Sequence, residues 1–119
     1  MNRLLAYPCI MVAVLVTNSQ SWTAETHVKT VMVAMRDGVQ LATDIYRNPT
    51  VSKQSVILVR TPYNKDRAKQ TAERFVEAGY TVVIQDCRGA HASEGVLIPY
   101  NNEGQDGYDT IEWIGQQPW

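Results

Sequence analysis

The sequence predicts an α/β fold in which a β-hairpin precedes alternating buried strands and helices. Three observations carry this: an Asp-Gly pair between two strand-like stretches, two short continuous apolar runs, and two stretches of helical periodicity, one after each run. Buried strands separated by helices imply βαβ crossovers and parallel pairing.

Residues 28–35 are rich in β-branched side chains, and Asp37-Gly38 follows as a turn signal. Residues 39–46 alternate, with Val39, Leu41, Thr43 and Ile45 on one face and Gln40, Ala42, Asp44 and Tyr46 on the other. That period predicts a half-buried strand paired to the first as an antiparallel hairpin. Asn48-Pro49-Thr50 ends it. The run Val56-Ile57-Leu58-Val59, within a strand over 55–61, predicts a strand covered on both faces. Pro62 breaks it, because proline cannot donate to a ladder.

Residues 65–78 predict a helix with Ala68, Thr71, Ala72, Phe75 and Val76 on its inner side, and Gly79 just past its end. Residues 80–85 predict a second buried strand around Val82-Val83-Ile84. A loop over 86–95 follows, then a second helix over 105–117 with Tyr108, Ile111, Trp113 and Ile114 as its apolar members. This helix is expected to lead to a further strand beside the one at 80–85, so the sheet reads as incomplete at Trp119.

The 119 residues are 45% hydrophobic and 19% charged with a net charge of −1, which carries no signature of disorder. Near-neutral charge gives no electrostatic reason to expect a nucleic-acid partner. Lys53, Arg60, Lys65, Arg67, Lys69 and Arg74 read as a solvated helix face.

Arg3 followed by an apolar run over 4–16 and a small, polar stretch over 17–24 reads as a secretory signal peptide, with cleavage after Ser21 or Ala24. The run is too short for a bilayer, which needs about 20 residues. The mature chain over 25–119 is therefore expected to be secreted or periplasmic, with no membrane partner. Removal of Cys9 with the leader leaves Cys87 alone, as a small hydrophobe rather than a nucleophile. His27 and His91 are too few and too separate for a metal site, and no phosphate-loop or dinucleotide spacing occurs, so no cofactor is expected.

Ligand sites of open α/β sheets lie at the carboxyl ends of the strands, here residues 61–65 and 86–95. Tyr63 directly follows the strand ending at Thr61. Its hydroxyl suits a developing oxyanion, and a tyrosine simply packed at a strand end is the alternative. His91-Ala92-Ser93-Glu94-Gly95 has the outline of a nucleophile elbow. Ser93, however, lies well past its strand and opens no helix, so it reads as a structural loop serine. Asp86 and Arg88 are expected to pair and order their loop.

Five segments in order resemble the X-Pro dipeptidyl-peptidase family, with its cocaine-esterase-like and glutaryl-acylase-like members. They begin with Met35-Arg36-Asp37-Gly38-Val39-Gln40-Leu41 running on to Arg47, and with Val59-Arg60-Thr61-Pro62-Tyr63-Asn64-Lys65. They continue through residues 79–89 and Ala92-Ser93-Glu94-Gly95 to residues 103–114 and Gln117-Pro118-Trp119. The resemblance implies the N-terminal part of an α/β-hydrolase fold. It implies a serine nucleophile with Asp and His partners, acting on small ester, amide or peptide substrates including X-Pro dipeptides.

The same resemblance gives Tyr63 the role of oxyanion-hole donor. The nucleophile Ser and its Asp and His partners have no counterpart in these residues. The chain is therefore expected to be inactive alone, as a fragment of a serine hydrolase. A non-catalytic secreted binding or interaction module, or half of a split enzyme, are the alternatives. The oligomeric state is left open.

Overall fold

The computed structural model describes residues 26–119, and the expected signal peptide at 1–24 lies outside the described residues. Four strands form one sheet: β1 (His27–Ala34), β2 (Gln40–Arg47), β3 (Val56–Thr61) and β4 (Thr81–Asp86). Their spatial order is β1-β2-β4-β3. A 3₁₀ turn (Lys65–Ala68) leads into helix α1 (Lys69–Glu77), and α2 (Glu103–Gly115) follows β4.

The hairpin forms as the turn signal implies. Met35 and Val39 close it, and Gly38 takes a φ of 86° that most side chains avoid. The two strands pair in register from His27 opposite Arg47 to Ala34 opposite Gln40. β3 and β4 pair in parallel through the α1 crossover. β4 also pairs antiparallel with β2, Thr43 lying opposite Gln85. The hairpin and the βαβ unit therefore share one mixed sheet.

Several expectations change. β2 is not half-buried, because both of its faces are covered. Tyr46 joins Ala72, Val76, Val82 and Ile84 beneath α1, while Leu41 joins Val33, Met35 and Trp113 on the α2 side. β3, expected to be covered on both faces, is an edge strand with partly exposed side chains. A local apolar run cannot distinguish a central strand from an edge one, since the next strand decides that. β4 already has a neighbour on each side, so no place remains beside it for the further strand expected after α2.

The inner face of α2 is polar except at Trp113, which packs on the Leu41 cluster. Asp106 and Thr110 are buried, whereas Tyr108 and Ile111, two of the helix's apolar members, are exposed. The reason is the polar ground beneath it. Thr110 Oγ1 and Arg60 Nε both donate to Gln85 Oε1, and Gln85 Nε2 donates to Thr43 Oγ1. Gln85 is fully buried, so these bonds satisfy a side chain that would otherwise be costly to enclose.

Arg60 and Lys65 are likewise not part of a solvated face. Lys65 is buried and its ammonium lies 3.0 Å from Asp44 and 3.0 Å from Asp66. Burial pulls its pKa down, but the two carboxylates outweigh that and hold it above the ordinary lysine value.

Candidate active site

β3 and β4 run parallel and end side by side, and the segments leaving them make the candidate site. After Thr61 the chain turns abruptly. Thr61 Oγ1 accepts the Tyr63 amide at 3.0 Å, and the Asn64 side chain accepts the Asp66 amide at 3.0 Å. Asn64 itself has a φ of 82°, a conformation that asparagine tolerates better than most residues. The result is a tyrosine ring that stands away from the sheet, 74% exposed. Tyr63 is thus not packed against the strand end.

The loop after β4 folds back toward this turn and toward β2. The Cys87 amide donates to Thr61 O at 2.9 Å, and His91 Nε2 donates to Pro62 O at 3.1 Å. Ser93 Oγ donates to Asp86 O at 2.7 Å and accepts the Ala42 amide at 2.9 Å. Its hydroxyl is committed in both directions to the backbone, in keeping with a loop serine. Glu94 adds a carboxylate contact to the Gln40 amide and receives a bond from the Gly89 amide.

Asp86 and Arg88 do not pair with each other. Strand alternation puts Asp86 on the α1 side, where it accepts the Lys65 amide at 2.8 Å and the Ala92 amide at 3.4 Å. Arg88 turns the other way and bridges Asp106 at 2.7 Å and Asp37 at 2.7 Å. Its guanidinium pKa is raised, first by the hydrogen bonds to Asp106 and then by those to Asp37. The acidic spacing at 103, 106 and 109 along α2 was the available signal for this network. Glu103 meets Arg60, Asp106 meets Arg88 and Arg60, and Asp109 meets Arg36.

An open hollow of about 500 Å³ lies against this frame, lined by Arg60, Tyr63, Cys87, Leu97, Tyr100 and Glu103. Its floor is charged but internally compensated, since Arg60 Nη1 binds Glu103 Oε2 at 2.6 Å. Its outer wall is aromatic and aliphatic, with Tyr100 and Leu97 exposed. Gly89 makes that wall possible. At a φ of 68° it lies under the backbone of Val96 and Leu97, where a Cβ would collide with the Leu97 amide nitrogen.

Cys87 is buried beside the hollow, and burial, followed by the charge of Glu103, pushes its thiol up to about 11. It stays protonated near neutral pH and is not a nucleophile there. Among the described residues, no group of three or more His, Cys, Asp and Glu side chains could hold a metal ion. Among them too, no helix is long and apolar enough to cross a membrane.

The frame has counterparts in known proteins. The chain is 45% identical over 95 residues to cocaine esterase of Rhodococcus sp., covering 75% of this chain and 17% of that protein. The structure of a CocE/NonD family hydrolase from Staphylococcus aureus superposes with a TM-score of 0.69 at 29% identity, covering 79% of this chain and 21% of that one. An aminopeptidase from a marine sediment Thaumarchaeota archaeon superposes with a TM-score of 0.70 at 27% identity, covering 83% of this chain and 20% of that one. The chain thus spans about a sixth to a fifth of the length of these relatives, and its sheet is part of an α/β-hydrolase fold. Residues 37–119, from the turn aspartate that Arg88 holds to the last tryptophan, match the family described as X-Pro dipeptidyl-peptidase (S15 family), and the chain belongs to that family.

Proposed function

We propose that this chain forms the oxyanion-stabilising side of a serine hydrolase acting on small ester, amide or peptide substrates. The observation that carries the reading is Tyr63. Its ring is exposed beside the hollow at the carboxyl end of β3, and its turn is fixed by the Thr61 and Asn64 side chains, which accept the Tyr63 and Asp66 amides. In acyl transfer a nucleophilic oxygen attacks the carbonyl carbon, and the carbonyl electron pair moves onto oxygen. A preorganised donor aimed at that oxygen stabilises the charge as it develops. The tetrahedral adduct then collapses, expels the alcohol or amine, and leaves an acyl group that water removes. The relatives' names, cocaine esterase and aminopeptidase, fit ester and amide substrates respectively.

No described residue is offered as nucleophile, since the Ser93 hydroxyl is engaged with the backbone and the Cys87 thiol is protonated. The chain alone is therefore proposed to be inactive. The remaining machinery would come from more of the same polypeptide or from a partner chain. The partly exposed edge of β3 supports either arrangement. Secretion through the leader at 1–24 is part of the same proposal. N-terminal sequencing of the native protein tests it, and a start near residue 22 or 25 is expected.

The experiment is capture of the native protein from its source, measurement of its intact mass, and assay on 4-nitrophenyl esters with Tyr63→Phe as the variant. Loss of one oxyanion donor lowers kcat by about 100-fold or more. A variant with unchanged kcat would remove Tyr63 from the mechanism. A native mass matching this chain alone, with full activity, would overturn the proposed inactivity.

A further inference from the structure

We propose that the loop after β4 is a clamp that aims Tyr63, with Asp86 and His91 as its positioning residues. The proposal rests on the reading of Tyr63 as oxyanion donor and goes beyond it by naming what sets the donor's direction.

Tyr63 has little packing to orient it, being 74% exposed. The origin and Cα–Cβ direction of its side chain are set by the backbone on either side. On the N-terminal side, the Cys87 amide holds Thr61 O at 2.9 Å, and His91 Nε2–H holds Pro62 O at 3.1 Å. On the C-terminal side, Asp86 Oδ1 holds the Lys65 amide at 2.8 Å. One short loop thus grips residues 61, 62 and 65 and leaves the side chain between them free to meet a ligand.

Both clamp residues are kept in positions that cost energy. Asp86 is a buried carboxylate, 1% exposed, which is tolerated only because amides donate to it. Ser93 fixes the same residue from behind through Asp86 O. His91 has a φ of 48°, a left-handed conformation that non-glycine residues adopt at a cost, histidine more readily than most. That conformation is what turns the imidazole back over Pro62.

The test is a set of double-variant cycles in the intact active hydrolase that carries this chain. kcat and KM for 4-nitrophenyl acetate are measured for His91→Ala, Asp86→Ala and Asp86→Asn, each with Tyr63 and with Tyr63→Phe. Asparagine keeps an acceptor oxygen for the Lys65 amide, so it serves as the conservative rescue. Small misplacements of a catalytic group cost rate rather than binding. His91→Ala and Asp86→Ala are therefore expected to lower kcat about tenfold with KM within about twofold. Asp86→Asn should recover part of the loss, because its oxygen can still accept the Lys65 amide while its nitrogen cannot accept that of Ala92.

In the Tyr63→Phe background the same changes should cost less than about twofold, because there is no donor left to misaim. Equal losses in both backgrounds would overturn the clamp and leave the oxyanion reading standing. Full activity of Tyr63→Phe itself would overturn both. If Asp86→Ala does not fold, His91→Ala, at an exposed position, decides the question alone.

Discussion

Arg88 and Asp106 meet through two hydrogen bonds, Nη2 to Oδ1 at 2.7 Å and Nε to Oδ2 at 3.0 Å, with the carboxylate side chain 1% exposed. The same guanidinium reaches Asp37 in the hairpin turn. One side chain thereby ties β1–β2, the loop after β4 and α2 together. Arg88→Ala leaves a buried carboxylate that has lost its main partner, and losses of that kind cost about 3–5 kcal/mol. Chemical denaturation of the native protein should show a midpoint lowered accordingly. Arg88→Lys should recover only part, since an ammonium cannot make the two-pronged contact. A change below about 1 kcal/mol for Arg88→Ala would contradict this account.

The acid limit of stability follows from two carboxylates. Asp37 is lowered chiefly by its hydrogen bond to Arg88, and Asp109 chiefly by its hydrogen bond to Arg36. A group whose folded pKa is depressed contributes stability above its unfolded pKa and loses it as pH falls through the folded value. Thermal melting should thus be insensitive to these groups near neutrality and decline below about pH 4, the ordinary aspartate range. Asp109→Asn should flatten part of that decline. Added salt should weaken the exposed Arg36–Asp109 contribution at neutral pH.

Cys87 should resist alkylation while the protein is folded. With its thiol pushed up to about 11, little thiolate exists at pH 8, whereas an unperturbed cysteine near pKa 8.5 is substantially ionised. Iodoacetamide at pH 8 should label it about 100-fold more slowly than the denatured chain. Comparable rates in the two states would show the thiol to be accessible and ionised.

Ser93→Ala should cost stability and leave acylation untouched. The substitution strands the Ala42 amide and the Asp86 carbonyl, and an unsatisfied buried group costs about 1–3 kcal/mol. Fluorophosphonate labelling of the native protein should be unaltered by it. Labelling abolished by Ser93→Ala would make this residue the nucleophile.

Much of the frame is visible in the sequence because local rules govern it. Asp37-Gly38 marks the hairpin, the apolar runs mark β3 and β4, and Gly79 marks the end of α1. The pairing of β4 between β2 and β3 is not visible there. Period and composition tell which residues are strand, not which strand lies alongside. The orientation of α2 fails for a related reason. Its apolar members do not say which face turns inward, and apart from the Leu41 cluster under Trp113 the ground it meets contains Gln85, Thr43, Arg60 and Arg88.

The candidate site divides the same way. The place of Tyr63 follows from the rule that ligands gather at strand ends. The contacts that hold its turn join residues 21 and 29 positions apart, Lys65 with Asp86 and Pro62 with His91. Only the folded sheet brings these together. Asp86 and Arg88 look like natural partners in the sequence, yet Asp86 is the last residue of β4 and faces the Lys65 turn, while Arg88 lies past the strand's end and turns to α2.

The ionic seat of α2 has a consequence for whatever rests on its far side. An apolar seat sets a helix's rotation through the summed fit of many side chains, none of them directional alone. A helix that is also pegged by Asp106 between two arginines has its rotation fixed by directional charged contacts as well. Tyr108 and Ile111, which look outward from α2, are therefore presented at a fixed azimuth and height. A neighbouring surface that meets them finds the same two side chains in the same place each time, like studs on a keyed shaft.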